Sequence, residues 1–340
     1  MQLRPSTKPV ILGLAGTALQ DVERRFFEDA DPLGFILFQR NCETPDQVKA
    51  LCTALRETVS RPDAPILIDQ EGGRVQRLRA PNWQETPPAR EIGKIAEADL
   101  QKGKRAAYLH AQLIGIQLRD AGITVNCAPC LDLIIDGAHE IIGDRSYGGD
   151  PTLVRTLGAE ACAGYLSLGI TPVIKHLPGH GRAAVDSHHD LPVIDTGLDT
   201  LQETDFAAFK DQPGQAWGMT GHLMIPALDP DNCITLSRAG IDSVIRKQIG
   251  FDGVLLSDDL SMKALSGTLG DRTTGALAAG CDIALHCNGD MDEMRDVVEH
   301  CSSPSGDAIR RLSSNVPGQP DAMPDLGAAA AELSDLLKSD

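Results

Sequence analysis

Two hydrophobic rhythms alternate along the chain. Short, nearly continuous apolar runs stand at residues 10–15 (VILGLA), 34–38 (GFILF), 65–70 (PILIDQ), 123–128 (ITVNCA), 171–176 (TPVIKH), 216–221 (AWGMTG), 253–258 (GVLLSD) and 282–287 (DIALHC). Runs of this length with no polar face predict strands buried on both sides of a parallel sheet. Helical patterns fill the intervals. Thr44-Pro45-Asp46-Gln47 reads as a capping box with proline at the first helical position, opening a helix to about residue 59. Residues 99–120 form a long periodic segment ending in Asp120-Ala121-Gly122. Ser237 caps a further helix expected to run to Ile249, with Gly250 as its left-handed stop.

Eight strands separated by helices match a (β/α)8 barrel, because consecutive parallel strands need such crossovers. A doubly wound open sheet is the rival, but no G-x-G-x-x-G follows the first strand, which weakens its dinucleotide-binding form. The expected architecture is therefore α/β, a single (β/α)8 TIM-type barrel over residues 1–300. Residues 301–325 are rich in Ser, Pro and Gly and are expected to form loop with no more than one helical turn. Residues 326–338 (LGAAAAELSDLLK) are expected to form a terminal helix, so that 301–340 is a helical tail packing on the barrel.

Composition narrows the chemistry. At 340 residues with 42% apolar and 23% charged residues, the chain can bury a sizeable core. A net charge of −17 argues against nucleic acid as a partner. No stretch approaches the ~20 apolar residues of a membrane span, and the start MQLRPSTKPV has no signal-peptide core; a cytoplasmic monomer is expected. Nine cysteines scattered through apolar segments suit reduced, buried thiols better than a disulfide framework, and the lone Cys127-Ala-Pro-Cys130 is read the same way.

Active sites of such barrels lie at the C-terminal ends of the strands. There the chain places Asp69-Gln70-Glu71-Gly72-Gly73-Arg74, then Asp132 and Asp144-Arg145-Ser146, then Lys175-His176, His222 and Ser257-Asp258-Asp259. One of the two adjacent aspartates can cap the next helix, but not both. Asp69 in an otherwise apolar run is hard to dismiss as incidental, because an unpaired buried carboxylate is costly. His222 can be a hydrogen-bonded core residue or face a substrate. His110, His139 and His300 read as surface residues.

Four of the nine histidines fall in VIKHLPGHGRAAVDSHHD at residues 173–190. A metal cage is one reading, yet the His-x-His pair usual at the first strand of barrel metallohydrolases is missing. An acid–base reading fits better. Asp186 stands two residues before His188, where a carboxylate on one ring nitrogen leaves the other to trade a proton. With Asp258 as nucleophile or base, the set suits two-step glycoside hydrolysis. A sugar-binding barrel without turnover would need neither. Gly179, Gly181, Ala183 and Ala184 suggest a mobile loop that carries His188, with His180 and His189 shaping it.

DQEGGRVQRL (69–78), IGDRSYGGDP (142–151), KHLPGHGRAAVDSHHDLP (175–192) and LLSDDLSMKAL (255–265) together resemble glycoside hydrolase family 3, in its bacterial β-N-acetylglucosaminidase branch. The resemblance implies removal of terminal β-linked N-acetylglucosamine with retention, from muropeptides carrying it on 1,6-anhydro-N-acetylmuramic acid. It implies Asp258 as nucleophile, His188 as acid/base with Asp186 as its partner, and Asp69, Arg77, Arg145, Lys175 and His176 as sugar-binding residues. No metal or organic cofactor is implied, and a β-glucosidase specificity is the alternative. Leu177 and Gly221 depart from the pattern, where an aromatic and an alanine are commoner.

Overall fold

Eight parallel strands close into one barrel in sequence order in this computed structural model, with β1 paired to β2 and to β8. The structure describes residues 3–185, 190–314 and 325–338. The strands are β1 (Lys8–Leu12), β2 (Pro32–Leu37), β3 (Ile66–Ile68), β4 (Val125–Asn126), β5 (Thr171–Leu177), β6 (Trp217–Thr220), β7 (Leu255–Asp259) and β8 (Ile283–His286). Each lies within or beside one of the apolar runs of the sequence. The (β/α)8 expectation holds, and the open-sheet rival falls with the β1–β8 ladder.

The period of a strand sends neighbouring side chains to opposite faces. Ile11, Ile36, Leu67, Val173, Trp217, Leu256, Ile283 and Leu285 fill the barrel interior. Val10, Leu12, Phe35, Leu37, Ile66, Ile68, Leu255 and Ala284 face outward into a second layer beneath the helices. Both layers are apolar, which is why the strands read as continuous hydrophobic runs.

The helices are α1 (Asp21–Ala30), α2 (Pro45–Thr58), α3 (Ala89–Ala98), α4 (Leu100–Asp120), α5 (Pro151–Leu166), α6 (Leu198–Glu203), α7 (Leu269–Ala279), α8 (Met291–His300), α9 (Gly306–Ser314) and α10 (Leu326–Leu337). Thr44 Oγ1 accepts the Gln47 N–H as expected, but Gln47 reaches back to Glu43 N–H rather than to Thr44. A wider π-type helix spans Gly240–Gln248, its entry held by Ser237 Oγ accepting the Gly240 N–H at 2.9 Å. Gly250 follows at φ +79°, the left-handed stop.

Two expectations are corrected. Residues 306–314 form a full helix, α9, rather than a single turn. Leu312 joins the barrel-interior cluster, and Arg310 and Arg311 pair with Asp252 and Asp282. His110 is 3% exposed, because α4 is flanked by α3, α5 and α10 and buries most of its circumference. Helix α10 packs on α4 through Ala329 and Leu333, with Arg105 and Glu332 paired at 2.7 Å beside them. All nine cysteines are free thiols.

Candidate active site

The C-terminal ends of the strands surround a cavity of about 200 Å³ that opens to solvent. Its charged lining comes from four strand ends or the loops after them: Asp69 and Glu71, Arg145, Lys175 and His176, and Asp258. Arg77 completes the ring, while Ile36, Met219 and Leu285 form the apolar floor.

The segment after β3 is folded back on itself. Gln70 Oε1 accepts the N–H groups of Arg77 and Leu78 at 2.8 and 3.0 Å, and its Nε2 donates to Leu78 O. Gly72 and Gly73 make the reversal at φ +100° and +56°, where a Cβ at Gly72 would stand 2.3 Å from Pro87 O. His110 Nε2 supports the same wall by bonding Pro87 O at 2.9 Å. The result returns Arg77 to Asp69, eight residues earlier in the chain.

Cations and carboxylates alternate around the pocket. Lys175 Nζ donates to Asp69 Oδ1 at 2.8 Å and lies 2.6 Å from Glu71 Oε1. Arg145 grips Glu71 with two parallel bonds of 2.9 Å, and Arg77 donates to Asp69 Oδ2 at 3.2 Å. Burial alone would raise the Asp69 and Glu71 pKa values. Lys175 with Arg77 outweighs it at Asp69, and Arg145 with Lys175 holds Glu71 down at about 2. Lys175 is displaced the other way: burial works against its charge, and the two carboxylates raise it above the ordinary lysine value. Glu71 joins the site as a residue that sequence reasoning left unassigned.

His176 lies on the rim with its Nδ1 committed to Asp132 Oδ2 at 2.6 Å. Asp132 follows β4 and is fully buried, and it also accepts the backbone N–H of His176 and of His180. His180 sits edge-on to His176 with ring centroids 5.6 Å apart; burial, then His176, lowers its pKa to about 4. Cys130, Asp132 and His176 bring ligand atoms within 4.8 Å of one another, the one such set among the described residues, and those atoms already bond each other.

The strand-seven aspartates divide. Asp259 Oδ1 accepts from the backbone of Ser261 and Cys287, and its Oδ2 from Ser261 Oγ. Asp258 lines the cavity and accepts the Asp259 N–H at 2.8 Å. His222 proves to be the core residue: it is buried, bonded to Thr235 Oγ1 and to Asp259 O. Asp186, His188 and His189 fall outside the described residues, so the structure leaves the proposed acid/base pair where the sequence left it. The loop root before them is packed rather than loose. A Cβ at Gly181 would lie 2.2 Å from Leu133 O, Ala183 is buried, and Arg182 pairs with Asp205 at 2.7 Å.

A closed parallel barrel with a polar, ion-paired pocket at the C-terminal ends of its strands has the architecture of a barrel enzyme. Residues 10–312 match the model of the glycosyl hydrolase family 3 N-terminal domain, and the chain belongs to that family. It is 38% identical over 286 residues to a β-hexosaminidase of Thiobacillus denitrificans, covering 82% of this chain and 78% of the relative. Among solved structures it resembles NagZ from Neisseria gonorrhoeae in complex with N-trifluoroacetyl-D-glucosamine, with TM-score 0.87, 30% identity and 98% of each chain covered. A family 3 β-N-acetylglucosaminidase from Paenibacillus superposes with TM-score 0.79 and 31% identity, over 96% of this chain and 60% of that one. Among the described residues no helix is long and apolar enough to cross a membrane.

Proposed function

We propose that this family 3 β-N-acetylhexosaminidase is a retaining exo-enzyme that releases terminal β-linked N-acetylglucosamine. Its substrates are muropeptides bearing that sugar on 1,6-anhydro-N-acetylmuramic acid, cleaved by a cytoplasmic monomer during peptidoglycan recycling. The observation that carries the reading is the division of labour among the acidic groups of the pocket. Asp69 and Glu71 are paired with cations and Asp259 holds a turn, while Asp258 ends β7 and lines the cavity, a position that supports it as the nucleophile. The named relatives support the sugar, and the sequence resemblance supports the acid/base pair.

In this reading Asp258 attacks the anomeric carbon while protonated His188, held by Asp186, hands a proton to the departing aglycone. Water then enters, His188 takes its proton, and the glycosyl–Asp258 ester is released. Asp69, Arg77, Arg145, Lys175 and His176 hold the sugar hydroxyls. Donors already held in place by their ion pairs make these contacts without reorganising during the reaction. The test is a panel of aryl β-glycosides differing at C2, with Asp258→Ala alongside. The N-acetylglucosaminide should be the preferred substrate, and the variant should lose turnover by at least ~10³-fold. Preference for the plain glucoside, or near-normal rates in the variant, would overturn the proposal.

A further inference from the structure

One buried carboxylate touches both the sugar-gripping histidine and the root of the loop that leads to residues 186–189. Asp132 lies between Leu131 and Leu133 and is fully buried. Pairing of the segment after β4 with β5 fixes its position: Cys130 bridges Lys175, and Leu131 N–H donates to Lys175 O at 2.8 Å. Its Oδ1 accepts the His180 N–H at 2.6 Å and the His176 N–H at 3.2 Å. Its Oδ2 faces the His176 Nδ1 at 2.6 Å and the Cys130 thiol at 3.2 Å. Among the described residues, these hydrogen-bonding partners of Asp132 are all donors carried by Cys130, His176 and His180.

We propose that Asp132 is a positioning residue for the reaction. It holds the proton of His176 on Nδ1, so that Nε2 meets the sugar as an acceptor, and it pins the chain at His180, from which the acid/base loop starts. Sugar grip and loop placement then depend on the same carboxylate. This rests on the proposed function for the meaning of the loop, but not for the state of the His176 ring.

The chemistry of the carboxylate supports the assignment. Burial alone would raise the Asp132 pKa, but His176, with the hydrogen bonds from His176 and His180, holds it below the usual carboxylate range. An anion facing Nδ1 at 2.6 Å selects the tautomer with hydrogen there. An asparagine in the same place offers one acceptor and two donors to a set of donors. It satisfies the two backbone N–H groups only by turning its amide hydrogens toward Nδ1, which drives the ring proton to Nε2. The glycone contact then changes from acceptor to donor.

Two measurements test this. In the wild-type protein labelled with nitrogen-15 histidine, His176 should show a protonated Nδ1 whose proton lies far downfield, assigned by its loss in His176→Gln. In Asp132→Asn the proton should move to Nε2, and N-acetylglucosamine should bind ~10–100-fold more weakly as a competitive inhibitor. The fall in kcat/KM should be larger for aryl N-acetylglucosaminides with poor leaving groups than for a dinitrophenyl one. A residue with only a structural role would lower the melting temperature and leave tautomer, inhibitor affinity and leaving-group dependence unchanged in the folded variant. That result, or a wild-type His176 with its proton on Nε2, overturns the inference, and the second holds even where the variant fails to fold. A wild-type enzyme inactive on every aryl N-acetylglucosaminide, with the ring tautomer as expected, would sink the proposed function while upholding Asp132 as the group that sets His176.

Discussion

Replacing Glu71 with glutamine keeps the shape of the pocket wall and removes one negative charge from its centre. Glu71 accepts a bidentate pair from Arg145 at 2.9 Å and stands 2.6 Å from Lys175. In Glu71→Gln the amide nitrogen faces an Arg145 donor in either orientation, and Lys175 as well in one of them, donor against donor. Lys175 then keeps Asp69 as its ion-pair partner, while Arg145 loses the carboxylate it grips. The size of the effect follows from the carboxyl itself. Its pKa falls from 4.5 to about 2 in the folded protein, and at about 1.4 kcal/mol per pKa unit this is roughly 3 kcal/mol at neutral pH. Removing one partner of a buried pair independently suggests about 3–5 kcal/mol. Urea unfolding of wild type and Glu71→Gln at pH 7 measures it directly, with Arg145→Met and the double variant closing a cycle. The folded pKa lies below the unfolded one, so the stabilisation is complete above about 4.5 and is lost as pH falls toward about 2. The gap between wild type and variant should therefore close over that window. A loss under about 1 kcal/mol at pH 7, or a gap that does not shrink in acid, would refute the reasoning.

Two further outcomes are expected. His110 is buried against Pro87 O and burial lowers its pKa from 6.5 to about 4, so the unfolded chain binds the extra proton first. Stability from this group is complete above about 6.5 and falls by roughly 3 kcal/mol as pH drops to about 4; a His110→Gln variant should lack that step, and an unchanged pH profile would count against it. His188→Ala should slow the glycosylation step more for poor leaving groups than for activated ones, read by single-turnover kinetics across aryl N-acetylglucosaminides. Equal losses across the series would argue against an acid role.

The strands were legible because each is apolar on both faces, and the barrel followed from their number. Asp69, Lys175 and Asp258 were legible for the converse reason, as charges at the ends of largely apolar runs. Glu71 and Asp132 were not. Their significance lies in contacts across 74 and 44 residues of chain, with Arg145 and His176, and no local pattern announces such a pairing. Helix α9 was hidden by the Ser- and Pro-rich residues before it, although Ala308 and Leu312 mark its buried face. His110 was misplaced because a helix packed on three sides has no dependable polar stripe on which to put a histidine.

Asp258 and Asp259 show how one strand end separates chemistry from support. The side-chain alternation of β7 turns Leu256 toward the barrel axis and Leu255 toward the helices. At Asp258 the axis-facing position has reached the open end of the barrel, so the same parity that buries Leu256 lower down delivers a carboxylate to the cavity. Asp259, at the last position of the strand, ties the turn to Ser261 and to the end of β8 at Cys287. In the proposed mechanism, a neighbour so occupied would hold the turn in place while Asp258 forms the ester. The histidines divide likewise: His222 is spent on Thr235 and the Asp259 carbonyl, whereas His176 lies at the rim with its ring set from behind by Asp132. Identical residue types thus take different work according to whether their polar atoms end at the cavity or at the backbone that shapes it.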